Sequence, residues 1–129
     1  MKLIIQIPCF NEEETISTTL SALPRKLPGI DKVEWLIVDD GSTDSTVKIA
    51  RANGVDHVVS LSANRGLARA FMAGLNASIQ HGADIIVNTD ADNQYNADDI
   101  PKLIEPILAG KAEIVIGARP IEEIKHFSF

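Results

Sequence analysis

Ile85-Ile86-Val87-Asn88-Thr89-Asp90-Ala91-Asp92-Asn93-Gln94 is the stretch on which the reading of this chain turns. A short β-branched run predicts a buried strand over residues 84–89, and two carboxylates one residue apart follow it directly. In α/β sheets the carboxyl ends of the strands are where ligands bind. Hard oxygen donors at such a rim suit an octahedral divalent cation, Mg²⁺ or Mn²⁺, bridging a diphosphate. Asp90, Asp92 and Asn93 are equally at home in a polar turn before a helix, so this segment alone leaves both readings open.

Outward from this point, apolar runs of strand length alternate with helical patterns, as in parallel βαβ units. Strands are predicted over residues 3–8, 34–38, 56–61 and 113–117 as well as 84–89. Asn11-Glu12-Glu13-Glu14 predicts a helix start with a negative first turn, and Pro24 ends that helix. Gly41-Ser42-Thr43-Asp44 offers a turn and cap for a helix reaching Asn53-Gly54. Leu67, Phe71, Leu75 and Ile79 recur at every fourth position, which predicts the buried stripe of a helix over 66–81, stopped by Gly82. A further helix starts near Asn96 to Asp98, takes Pro101 in its first turn and stops at Gly110. Ile121, Ile124 and Phe127, three residues apart, read as the opening turns of an amphipathic helix. Trp35 and Phe71 are assigned to the core.

A chain of 129 residues makes one domain with a real core. Its 18 acidic and 12 basic residues give a net charge of −6, with the basic ones dispersed, which argues against nucleic acid as a partner. A single cysteine, Cys9, rules out an internal disulfide framework and points to the cytoplasm. Cys9 itself reads as a small buried thiol. No apolar run reaches the roughly 20 residues that span a bilayer, and Met1 leads straight into a strand pattern without a signal-peptide layout. His57, His81 and His126 lie far apart without metal-site spacing and receive no catalytic role.

Three strand-end loops carry polar groups, over residues 9–14, 39–44 and 90–96, and a doubly wound sheet would gather them on one rim. Asp39-Asp40-Gly41-Ser42 suits recognition of a base edge or ribose hydroxyl, and suits turn-and-cap chemistry as well. Arg65 and Arg69 border a helix start, a good place for an anion, although Arg69 also falls where a helix faces solvent. Neither Gly-x-Gly-x-x-Gly nor a Walker motif is present.

Four segments together resemble the inverting family-two nucleotide-sugar glycosyltransferases of the GT-A fold. They are Ile7-Pro8-Cys9-Phe10-Asn11-Glu12, Val38-Asp39-Asp40-Gly41-Ser42-Thr43-Asp44, Asn64-Arg65-Gly66 with Ala70 and Gly74, and Asp90-Ala91-Asp92-Asn93-Gln94. Their order and spacing match over about residues 3 to 119. Asp-Ala-Asp-x-Gln and the ending Ile-Gly-Ala-Arg look most like the branch that serves polyprenyl phosphates, as dolichol-phosphate mannose synthases do. The resemblance implies an α/β three-layer sandwich around a mostly parallel, Rossmann-like sheet. It implies transfer of a sugar from a nucleoside-diphosphate sugar to an acceptor such as a polyprenyl phosphate, by metal-assisted inverting displacement in glycan or cell-envelope biosynthesis.

Carried over residue by residue, the resemblance implies that Pro8, Phe10 and Glu12 wall the nucleotide pocket. Val38 and Asp40 would meet the base, with Asp39 beside them. Asp90 and Ala91 would approach the ribose and diphosphate, Asp90, Asp92 and Gln94 would hold Mg²⁺ or Mn²⁺, and Arg119 would face the phosphates. Phe10 replaces the Tyr often found there, removing a hydroxyl. No general base stands out, and a phosphate acceptor, already anionic, would not need one. Residues 1–129 then form the donor-binding part of a catalytic domain cut at its C-terminus, with the acceptor site beyond Phe129 and a place at the cytoplasmic face of a membrane in the full-length protein. A cut end would leave the fifth strand's edge bare, so self-association through residues 113–129 is expected. The alternative is a noncatalytic nucleotide-sugar-binding module or an inactive fragment.

Overall fold

The computed structural model describes residues 1–62 and 64–89, together with the strand backbone at 114–116 and 125–127. Each β-branched run becomes a strand: β1 (Lys2–Cys9), β2 (Lys32–Asp39), β3 (His57–Ser60), β4 (Ile85–Asn88) and β5 (Ile114–Ile116). Between them stand α1 (Ile16–Ser21), α2 (Thr46–Ala52) and α3 (Leu67–Gln80), and a last strand β6 spans Lys125–Phe127. The helix expected beyond Asn96 lies outside the described residues. The sheet order is β3-β2-β1-β4-β5-β6, parallel throughout except for β6. From β1 the chain winds outward through β2 to β3, then returns to place β4 on β1's other side. This reversal opens a crevice at the carboxyl ends of β1 and β4.

Helices cover both faces, which is why the central strands read as unbroken apolar runs rather than alternating ones. Leu3, Ile5 and Ile7 of β1 pack with Val33, Trp35 and Ile37 of β2 and with Ile16, Leu20 and Ala50 from α1 and α2. On the opposite face Ile4, Leu36 and Val38 pack under Ala70 of α3. The α/β three-layer sandwich with a mostly parallel sheet is the architecture expected from the sequence.

The buried face of α3 differs from the expected stripe. Leu67 and Ile79 are 68% and 60% exposed, whereas Ala70, Gly74, Leu75 and Ser78 are buried. Small residues take the contact because the helix lies close on β1, directly over the buried Gln6. The side chain of Gln6 donates through Nε2 to the Phe71 carbonyl at 3.2 Å and to Asn88 Oδ1 at 3.1 Å, and its Oε1 accepts from Ser78 Oγ at 3.3 Å. A polar group at the centre of the sheet is thereby fully bonded. The large apolar side chains flank this contact instead of entering it. Trp35 is core as expected, while Phe71 is only partly buried.

Two further expectations change. Phe127 belongs to β6, which pairs antiparallel with β5 through Ile114↔Phe127 and Ile116↔Lys125, so it does not open a helix. The outer edge of β5 is satisfied by its own chain, and the bare edge that motivated self-association is absent there. Ile121 and Ile124 lie outside the described residues. At the amino ends of the strands, His57 and His81, distant in sequence, stack with ring centroids 3.7 Å apart. His57 Nε2 also lies 2.9 Å from Glu34 Oε1, and Lys32 and Lys2 reach the same carboxylate at 3.2 and 3.4 Å. Burial alone would push the Glu34 carboxyl up, but bonds from His57 and Lys32 and the charge of Lys2 outweigh it and hold the group at about 2.

Candidate nucleotide-binding site

The site grows from two loops laced together. Beyond β1, Asn11 takes a left-handed backbone at φ 52°, a conformation asparagine tolerates better than most residues. Its N–H donates to Ser42 Oγ at 2.9 Å, and its Oδ1 accepts from the Thr43 N–H at 2.8 Å. The Glu12 N–H donates to Thr46 Oγ1 at 2.8 Å, and Glu13 Oε2 accepts from the Ser45 N–H at 2.9 Å. Asp44 accepts from the Thr46 N–H at 2.9 Å and from its hydroxyl. Burial opposes ionisation of Asp44, and these bonds overcome it, leaving its carboxyl below the usual range.

This lacing explains why the acidic cluster does not begin a helix. Glu13 bonds the opposite loop, while the Glu12 carbonyl accepts from Thr15 and Ile16 at 3.0 and 2.8 Å in the turn before α1. The first turn of α1 therefore contains no acid. Asp44, one of the cap residues expected from sequence, accepts from the first N–H of α2, at Thr46, while Ser45 at the N-cap position makes no side-chain cap bond.

Asp39 and Asp40 divide the work of the second loop. Asp39 is buried and its Oδ1 accepts from the Ser42 N–H at 3.1 Å, an Asx turn of the kind its sequence neighbours suggest. Asp40, also buried, reaches across to the entry of α3. Its Oδ1 accepts from the Arg65 N–H at 2.7 Å and its Oδ2 from the Gly66 N–H at 3.0 Å. Gly66 holds φ 90° with open space where a side chain would start, so glycine is required there by the backbone and not by crowding.

Between these parts lies a cavity of about 210 Å³ lined by Pro8, Cys9, Phe10, Glu12 and Asp40 on one side and Asn64, Gly66, Leu67 and Ala70 on the other. Four of the residues singled out from sequence, Pro8, Phe10, Glu12 and Asp40, thus share one wall. Phe10 is 40% exposed, a high value for an aromatic ring beside an open pocket. Val38 is not at the surface of this cavity: it is buried in the cluster beneath α3. Asn64, Gly66 and Ala70 were legible only through the third segment of the family resemblance, and Leu67 through nothing but its position. Cys9 lines the cavity, yet burial, reinforced by the charges of Glu12 and Asp39, pushes its thiol far up and leaves it un-ionised.

Arg65 and Arg69 do not enter this cavity. They line a separate groove of about 820 Å³ between the end of β3 and the outer side of α3. The other approach to the crevice is β4, where the Thr89 N–H donates to the Gln6 carbonyl at 3.0 Å. Asp90, Ala91, Asp92, Gln94 and Arg119 lie outside the described residues. Among the described residues no group of three or more His, Cys, Asp or Glu side chains is arranged to hold a metal. Nor is any described helix long and apolar enough to cross a membrane.

Known proteins share this layout. An undecaprenyl-phosphate mannosyltransferase of Micrococcus luteus is 32% identical over 125 residues, covering 94% of this chain and 49% of the relative. A UDP-N-acetylglucosamine–dolichyl-phosphate N-acetylglucosaminyltransferase of Methanococcus voltae is 35% identical, covering 94% of this chain and 53% of its own length. The chain therefore spans about half the length of these relatives. Among solved structures, glucosyl-3-phosphoglycerate synthase of Mycobacterium tuberculosis, in complex with Mn²⁺, UDP and glucosyl-3-phosphoglycerate, superposes with a TM-score of 0.66 at 28% identity, covering 83% of this chain and 39% of that one. These relatives and neighbours are glycosyltransferases. Residues 4–128 match the model of glycosyl transferase family 2, and with the sheet order and the laced loops now in place, this chain belongs to that family.

Proposed function

We propose that this chain is the donor-binding part of a metal-assisted, inverting glycosyltransferase that moves a sugar from a nucleoside-diphosphate sugar to a phosphate-bearing acceptor, a polyprenyl phosphate. The observation that carries this reading is the cavity walled by Pro8, Phe10, Glu12 and Asp40 at the carboxyl ends of β1 and β2, next to the reversal in strand order. The names of the relatives support the lipid phosphate, and the Mn²⁺ and UDP bound to the structural neighbour support the donor and cation.

In this reading the Phe10 ring packs on the nucleoside and Pro8 fixes the strand end beneath it. A carboxylate offers about four lone-pair positions, and Asp40 uses two for backbone N–H groups, leaving two for a uracil or guanine edge or a ribose hydroxyl. Asp39 shapes the loop beside it, and Val38 supports the pocket from below. The metal candidates Asp90, Asp92 and Gln94 fit a hard cation by donor type, and they follow a strand that hydrogen-bonds β1 up to the crevice. When bound there, Mg²⁺ or Mn²⁺ supplies charge compensation for a departing diphosphate. Ala91 and Arg119 complete the proposed phosphate surroundings. A phosphate acceptor arrives already ionised, so in this reading attack needs no general base. The proposal places the full-length protein at the cytoplasmic face of a membrane.

Calorimetric titration of this chain with UDP, GDP and their sugars, with Mn²⁺ and with chelator, tests the donor site. Transfer of radiolabelled sugar to polyprenyl phosphate by the full-length protein tests the reaction. Binding of neither nucleotide overturns the proposal, and binding without turnover in the full-length protein assigns a noncatalytic module instead.

A further inference from the structure

The groove that holds Arg65 and Arg69 has a chemistry of its own. Among the described residues that line it, five can donate hydrogen bonds through their side chains, Ser60, Ser62, Arg65, Arg69 and Asn76, and none is a carboxylate. On a chain of net charge −6 that is a local reversal of sign. Among the described residues neither guanidinium is paired with a carboxylate, and the only side-chain bond given to either is from Arg65 Nη2 to Ser62 Oγ at 3.5 Å. The floor is apolar: Leu61 is half-buried, while Met72 stands 52% exposed along the wall. At about 820 Å³ the groove has the volume of a small-molecule site, with a few convergent polar groups over an apolar bed.

We propose that this groove is a second, anion-binding site for an organic phosphate, in which Arg65 and Arg69 clasp the phosphate and Leu61 and Met72 receive an attached apolar chain. Guanidinium pairs favour phosphate over a spherical anion because their planar donor forks match its oxygens. The site is separate from the nucleotide cavity but touches it through the backbone: Asp40 accepts from the N–H groups of Arg65, which lines the groove, and of Gly66, which lines the nucleotide cavity. Occupancy of the groove therefore bears on the turn that shapes the nucleotide wall. The inference rests on the groove alone and stands whether or not the donor reading holds.

The test is an amide chemical-shift titration of the chain, in chelator, with inorganic phosphate, n-hexyl phosphate and n-hexanol. Saturable shifts at Ser60, Ser62, Arg69 and Asn76 are expected with both phosphates. The hexyl ester should bind about tenfold more tightly through its buried methylenes, and hexanol should not bind. Arg69→Gln should weaken hexyl phosphate by about tenfold or more, the loss of a charge-assisted bond, while UDP affinity stays unchanged. Shifts confined to Phe10, Glu12, Asp40 and Asn64, or equal hexyl phosphate affinity in Arg69→Gln, overturn the proposal. Co-sedimentation separates two sources of the same chemistry. Pelleting with phosphatidic acid vesicles but not with pure phosphatidylcholine, lost in Arg69→Gln, assigns a lipid headgroup, and titration without pelleting assigns a soluble phosphate ester.

Discussion

Gly74 passes so close over Gln6 that a β-carbon on Gly74 would lie 2.8 Å from Gln6 Cδ. The contact joins the middle of α3 to the central strand and sets how deeply the helix sits. Gly74→Ala would gain about 1 kcal/mol of helix propensity against about 1 to 3 kcal/mol of overpacking. A net loss of stability of about 1 kcal/mol is expected in urea denaturation. The double variant with Gln6→Ala should be less destabilised than the sum of the two single ones, because the removed amide vacates the space the new methyl needs.

Asp40→Ala removes the acceptor for two N–H groups at the entry to α3 as well as the proposed contact to the nucleotide. It should weaken a nucleoside monophosphate by about tenfold even in chelator, since bonds to a charged group are worth roughly 1.5 to 3 kcal/mol. Titration calorimetry of parent and variant checks this. Equal affinities would reduce Asp40 to a loop anchor.

Asp92→Asn should leave the circular dichroism spectrum and metal-free nucleotide affinity unchanged while removing the increment that Mn²⁺ adds. The reason is that a neutral amide would replace the charged oxygen proposed as a ligand of a hard cation. Titrations with and without chelator separate the two quantities, and an unchanged Mn²⁺ increment would take Asp92 out of the metal's coordination.

Glu34 gives the fold a defined acid sensitivity. Its carboxyl is held at about 2 in the folded chain against an ordinary value of 4.5, so its stabilising contribution is complete above about 4.5 and disappears as pH falls towards 2. Glu34→Gln should flatten the dependence of the unfolding midpoint on pH in that window, measured by denaturation from pH 5 downwards. An equally steep profile in the variant would assign the acid sensitivity to other carboxylates.

The strands were legible because Leu3-Ile4-Ile5, Trp35-Leu36-Ile37-Val38 and Ile85-Ile86-Val87 are apolar on both faces, a pattern that a sheet covered on both sides imposes directly. The pocket wall was legible for a different reason: Pro8, at the end of β1, and Phe10, Glu12 and Asp40, in the loops beyond β1 and β2, belong to segments whose order along the chain is itself the family signature. The face of α3 was not. Periodicity weighs residues by hydrophobicity, while the actual contact is decided by how near the helix can come to Gln6, which favours Ala70, Gly74 and Ser78 over Leu67 and Ile79. The pairing of His57 with His81 was invisible for the reason most long-range contacts are: both sit at element ends, and only the sheet order brings those ends together.

The position of β1 has a consequence for how the chain is made. It leaves the ribosome before the other described strands, yet it lies inside the sheet, and its second neighbour includes Asn88, 82 residues after the Gln6 that bonds it. At roughly 5 to 20 residues per second, the segment Leu3-Ile4-Ile5 waits roughly 4 to 16 s with one backbone edge unpaired. Throughout that interval the nascent chain exposes a short, uncharged, β-branched segment of the kind that recruits other strands. Production in the cell should accordingly depend on holdase chaperones more than the stability of the finished domain would suggest.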